Sequence, residues 1–127
     1  MYRSEITETS IVNMSKIDLV AFKNLSDCIP MEQNIENSED GYFTIKPVDY
    51  VKLHVENDQS ENREYDVLII VADNGDKYKT GSEAFERAFM DIFTELQHED
   101  GWLLKIFGKE SKNYKGKKFL TCSAVKA

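Results

Sequence analysis

A mainly β fold with one helix, of the α+β class, is what this sequence predicts, and three features carry the prediction. Tyr65 to Ala72, YDVLIIVA, is rich in β-branched residues and apolar on both faces, so it reads as a central strand. Asn74-Gly75 follows and supplies the positive φ angles that a tight hairpin demands, so Lys77-Tyr78-Lys79 returns as a short antiparallel strand. Phe85, Phe89, Ile92, Phe93 and Leu96 then fall at offsets 0, 4, 7, 8 and 11, one apolar stripe of a helix running to about Gln97.

The remaining elements follow in chain order. The chain has 127 residues, 41% of them hydrophobic, enough for one domain with its own core and too short for two of usual size. Residues 1–15 are polar and expected to fray, with Ile11 and Val12 available for an edge strand, and 16–127 form the single domain. In KIDLVAF (16–22) Ile17, Leu19 and Ala21 alternate, which reads as a strand, with a helix as the open alternative. The acidic stretch 31–41 is expected to be a loop. Tyr42 to Lys46 is extended, and Pro47, which has no ladder donor, predicts a break or bulge. Val51, Leu53 and Val55 alternate with polar residues as in a half-buried strand, and 56–64 is a polar loop.

Beyond the hairpin, Thr80-Gly81-Ser82-Glu83 has the T-x-x-E form of a capping box, and Asp100-Gly101 ends the helix. Trp102 to Phe107 and Lys117 to Val125 are strands, the latter with Leu120, Cys122 and Ala124 on one face and Phe119 on the other. The order β-β-β-α-β-β is that of an OB-like five-stranded barrel with its helix between strands 3 and 4, an order that other small α+β folds share. Strands before residue 48 are then an N-terminal elaboration.

Charge distribution gives the main functional clue. The chain carries −7 overall, yet residues 103–127 hold seven lysines against Glu110 alone, a balance of +6, while residues 1–102 carry −13. A local basic face acts on a polyanion even when the whole chain is acidic. Within it, FGKESKNYKGKKFLTC (107–122) sets Lys109, Lys112, Lys115, Lys117 and Lys118 around Tyr114, with Phe107 and Phe119 on the strands that the loop joins. Binders of single strands combine cations for phosphate with aromatic faces on which bases stack. The competing reading is a solvated, lysine-rich hairpin.

The segments DNGDKYKTGSEAFERAFMDIFTEL (73–96) and KESKNYKGKKFLTCSAV (109–125) resemble the small single-stranded-DNA-binding proteins of the OB-fold type found in phages and prophages of Gram-positive bacteria. The resemblance spans about residues 48 to 125 and rests on the Tyr-x-Thr-Gly-Ser helix start and the E-S-K-N-x-K-G hairpin. It implies a non-catalytic accessory of DNA replication or recombination, with single-stranded DNA as ligand, replication or recombination proteins as partners, and homo-oligomerisation left open. Such proteins often end in an acidic tail; this chain ends in Ala124-Val125-Lys126-Ala127. The predicted nucleic-acid-binding set is Lys77, Tyr78, Lys79, Lys105, Phe107, Lys109, Lys112, Tyr114, Lys115, Lys117 and Lys118.

Other functions are less well supported. An acidic module encoded by a phage, docking a basic host surface through residues 31–40 and 56–64, is the alternative. His54 and His98 have no nucleophile pattern beside them, so no catalysis is expected. Cys28, His54, His98 and Cys122 lack C-x-x-C or H-x₃-H spacing, so neither metal nor cofactor is expected. The two cysteines read as reduced thiols. The longest apolar run, Val67 to Ala72, falls far short of the roughly 20 residues a membrane span needs. MYRSEITETSIV carries no apolar signal region, which makes the expected location cytoplasmic.

Overall fold

From Val67 onward the strand Glu64–Ala72 is buried on both faces, and the other elements are arranged around it. The computed structural model describes residues 2–59, 63–111 and 117–127. Among these, strands predominate. The strands are β1 (Tyr2–Thr9), β2 (Ile29–Pro30), β3 (Tyr42–Ile45), β4 (Pro47–Asn57), β5 (Glu64–Ala72), β6 (Lys77–Thr80), β7 (Trp102–Glu110) and β8 (Lys118–Lys126). The helices are α1 (Lys16–Lys23), α2 (Met31–Glu36) and α3 (Glu83–Leu96), with a single 3-10 turn at Leu25–Asp27. A mixed α+β, strand-rich fold is therefore what the chain adopts.

Two sheets share these strands. The larger has the order β1-β4-β5-β6-β2 and the smaller β3-β7-β8. β5 is central in the larger sheet, as its doubly apolar sequence predicts. Leu68, Ile70 and Ala72 turn to a core shared with Tyr50, the α3 phenylalanines, and Leu104, Ile106, Leu120 and Cys122 of the smaller sheet. Val67 and Ile69 turn the other way, to a second core with Val51, Leu53, Val55, Phe22 and Cys28. β3 and β4 follow one another across Lys46, passing from the smaller sheet into the larger, and the register shifts between Pro47 and Asp49. Pro47 thus marks the predicted bulge.

The hairpin between β5 and β6 turns at Gly75, whose φ of 92° is the left-handed conformation that glycine adopts without strain. In α3 the rings of Phe85, Phe89 and Phe93 stack in sequence, and Tyr50 meets Phe93 edge-on at 5.6 Å between centroids. Trp102 anchors the end of the helix, its Nε1 donating to the carbonyls of Leu96 and Glu99 at 2.9 Å each.

Five local expectations need correction. Residues 2–9 do not fray: they pair antiparallel with β4 along its length, covering its edge. KIDLVAF is a helix, started by Ser15, whose side chain accepts from the Asp18 amide. The alternation there marks no buried strand face, for Phe22 alone is buried while Ile17 and Val20 stand 82% and 67% exposed. The acidic stretch opens with α2, because Met31, fully buried, and Ile35 fall one turn apart against the main core. The helix cap is Ser82, not Thr80: its side chain accepts from the Phe85 amide at 3.1 Å. Thr80 instead accepts from the Ser82 amide and donates to Glu32 at 2.5 Å, tying α2 to β6. Finally, the sheets are not closed into a barrel. The outer edge of β6 is taken by Ile29–Pro30, pairing in parallel with Tyr78 and Lys79.

A polar link joins β1, β4 and α3. Tyr50 donates its hydroxyl to Glu8 at 2.7 Å, and Lys52 lies 3.4 Å from both Glu8 and Glu86. Burial and the Glu8 bond push the Tyr50 phenol up to about 12. The same bond, aided by Lys52, holds Glu8 below the usual carboxylate range.

Phe89→Ala is expected to destabilise the fold by about 3–5 kcal/mol, read as a shift of the urea midpoint, because the ring is fully buried. The Tyr50–Glu8 bond sets a pH dependence at both ends. Since the folded phenol titrates above the unfolded value near 10, stability is complete below pH ~10 and falls as pH rises toward about 12. Since Glu8 is depressed, its contribution is present above the unfolded value and lost as pH falls through the folded one. Denaturation midpoints measured against pH should show both losses diminished in Tyr50→Phe.

Candidate nucleic-acid interface

The outer face of the smaller sheet is built by strand alternation. In β7, Trp102, Leu104 and Ile106 are buried, so Lys105, Phe107 and Lys109 point away from the core. Register supplies their neighbours. Phe107 lies between Tyr42 and Thr121, Lys105 between Thr44 and Ser123, and Lys109 opposite Phe119. The Lys105 ammonium sits 4.5 Å from the Tyr42 ring centre and 5.3 Å from that of Phe107, so cation and both rings share one surface. Tyr42 and Phe119 are 40% and 39% exposed, which leaves part of each ring open to a ligand. These cross-strand rows carry lysines and hydroxyls but no carboxylate; Glu39 and Asp40 lie in the turn leading into β3.

Such a surface offers flat apolar rings with an ammonium group between two of them. Chemically it suits a planar, polyanionic ligand. Beneath it Cys122 is buried opposite Ile106, and burial pushes its thiol up to about 12, so it stays protonated and contributes packing.

The predicted residues divide by location. Lys105, Phe107 and Lys109 are brought together on this face. Lys117 precedes β8 and Lys118 opens it, Lys118 paired in register with Glu110 and lining, with Phe119, a hollow that Glu32 and Glu36 of α2 close. Lys112, Tyr114 and Lys115 lie outside the described residues. Tyr78 is not a surface platform: it is buried, stacked on Phe43 at 5.2 Å, and burial raises its phenol. Lys77 and Lys79 point to the opposite side of the larger sheet. The first lies 4.5 Å from the Phe22 ring centre, and the second donates to the Leu25 carbonyl at 2.9 Å, both under the α1 segment. Buried Cys28 lies near both lysines; desolvation raises its thiol and their charges partly oppose this. Tyr42 escapes a sequence reading because only the register with β7 puts it beside Phe107.

A second polar cluster occupies the uncovered end of the larger sheet, around His54. Its Nδ1 lies 2.8 Å from Asp66 and its Nε2 3.6 Å from Glu64. The Asp66 bond, more than the opposing desolvation, raises the imidazole above its ordinary value.

Comparison of the chain with protein-family models, with curated proteins and with solved structures found no match. Among the described residues no helix is long and apolar enough to cross a membrane.

Tyr78→Ala is expected to destabilise the protein by about 3–5 kcal/mol, as a buried aromatic does. Phe119→Ala should stay within about 0.5 kcal/mol of the parent. Thermal and urea unfolding of the two variants would check the assignment of core and surface.

Proposed function

We propose that this chain binds single-stranded DNA without strong sequence preference and without catalysis, as an accessory of DNA replication or recombination akin to the phage-type proteins it resembles. One observation carries the reading: Tyr42, Lys105 and Phe107 form a contiguous ring-cation-ring array, extended by Lys109 and Phe119 and leading into the basic hairpin. Rings and ammonium groups at this spacing serve the two parts of a nucleotide, base and phosphate, together. An OB-like architecture belongs to the same proposal. Taking β3 and β4 as one bent first strand, it pairs with β5 in the larger sheet and β7 in the smaller, and α3 falls between the third and fourth strands. The acidic stretch 31–40 favours the docking alternative less, because Met31 and Ile35 face the core and Glu32 bonds Thr80.

Fluorescence anisotropy of labelled oligo(dT) against salt tests the proposal. With three or four phosphates neutralised, log affinity should fall with log salt at a slope of roughly −2 to −3. Replacing Lys105 and Lys109 by Gln should make that slope shallower by about one to one and a half. Phe107→Ala should weaken binding by roughly 1–3 kcal/mol with the slope nearly intact, because stacking releases no counterions. No binding to oligo(dT) at low salt, or equal affinity in the double lysine variant, would turn the assignment toward the acidic docking reading.

A further inference from the structure

We propose that His54, Glu56 and Glu64 form a binding site for a divalent transition metal, with Zn²⁺ as the ion their chemistry fits best. The site is separate from the nucleic-acid face and independent of it. Glu56 and Glu64 are direct cross-strand partners on β4 and β5, and the next row on the same face pairs His54 with Asp66. One ligand atom from each of His54, Glu56 and Glu64 lies within 4.8 Å of the others, the one such group of three among the described residues. Ligands about 2.1 Å from a tetrahedral zinc stand roughly 3.4 Å apart. The 3.6 Å between His54 Nε2 and Glu64 therefore already matches an edge of that tetrahedron, and small side-chain rotations bring in Glu56.

The imidazole is also oriented for the task. Asp66 engages Nδ1 at 2.8 Å, which directs Nε2 toward Glu64 and fixes the tautomer that ligates through Nε2. Ladder pairing of β4 with β5 holds all four backbone positions, so the ordering entropy of a loop-built site is avoided. Imidazole with two carboxylates is a borderline-to-hard donor set, suited to zinc and its first-row neighbours rather than to thiophilic ions. Two carboxylates balance the charge of the ion, and Glu5 across β1 adds to the negative field while Arg3, opposite Glu56, moderates it. His54 and Glu56 line one shallow hollow with Arg3, Ser4 and Glu5, and Glu64 lines a separate one with Asp66, so the three side chains reach the ion from an open surface where water completes the coordination.

The cluster is invisible to a spacing rule because its two halves come from different strands: His54 and Glu56 are two apart, but Glu64 joins them only through the register. Asp66 acts through His54 and is a positioning residue.

Titrating ZnCl₂ into the full chain tests the site, followed by calorimetry and by the ¹⁵N resonances of the His54 ring. One saturable equivalent, with the Nε2 resonance of His54 moving most, is expected. His54→Ala and Glu64→Gln should each weaken binding at least about tenfold, and Asp66→Asn by about 10- to 100-fold with the stoichiometry unchanged. MgCl₂ at the same concentration should leave the ring resonances in place. A His54 ring that does not respond to zinc at millimolar concentration, or zinc bound as tightly by His54→Ala as by the parent, would overturn the proposal. Should His54→Ala fail to fold, the exposed Glu64→Gln carries the same decision.

Discussion

Double-sided burial of β5 is the constraint on which the architecture depends. A strand apolar on both faces needs a cover on each, and the chain supplies two of different kinds. On one side α3 and the smaller sheet bring phenylalanines and the Leu104-Ile106-Cys122 layer. On the other, the N-terminal segment lays Phe22 and Cys28 over Val51, Leu53 and Val55. With both faces of the larger sheet so engaged over most of its length, the smaller sheet keeps a free outer face. That is where exposed aromatics and lysines collect.

Charge is segregated by the same arrangement. Lys105, Lys109, Lys118 and Lys126 fall on β7 and β8, while Glu5 of β1, Glu56 of β4, and Glu64 and Asp66 of β5 gather at the uncovered end of the larger sheet. The chain can therefore be acidic overall and still offer a cationic surface, which is the condition the proposed DNA contact requires. The two surfaces lie on different sheets, so an ion held by the His54 cluster and a strand held by the Tyr42-Phe107 face would not compete for the same side chains.

Much of this was legible in the sequence where pattern and local chemistry agree. The run YDVLIIVA, the Asn74-Gly75 turn and the α3 stripe each state their structure within a few residues, and the Pro47 bulge follows from a missing donor. The failures have a common cause. The Ile17-Leu19-Ala21 alternation is as compatible with a helix whose apolar residues face solvent, and α2 declares itself only through Met31 and Ile35, one turn apart within an acidic stretch. The site was legible in part. Lys105, Phe107 and Lys109 share a parity that a sequence displays, but Tyr42 and the burial of Tyr78 depend on which strands become neighbours. Tyr78 looks like a platform between two lysines until Phe43 stacks on it.

The central claim is that the β3-β7-β8 face, rather than the larger sheet, receives the DNA. The most direct measurement is a ¹⁵N–¹H map of amide shifts as oligo(dT) is added to the full chain. The account predicts that the largest changes fall on Tyr42, Lys105, Phe107, Lys109 and Phe119, with Lys77, Tyr78 and Lys79 scarcely moved. Changes centred on β6 and the α1 segment, with the smaller sheet unaffected, would contradict it.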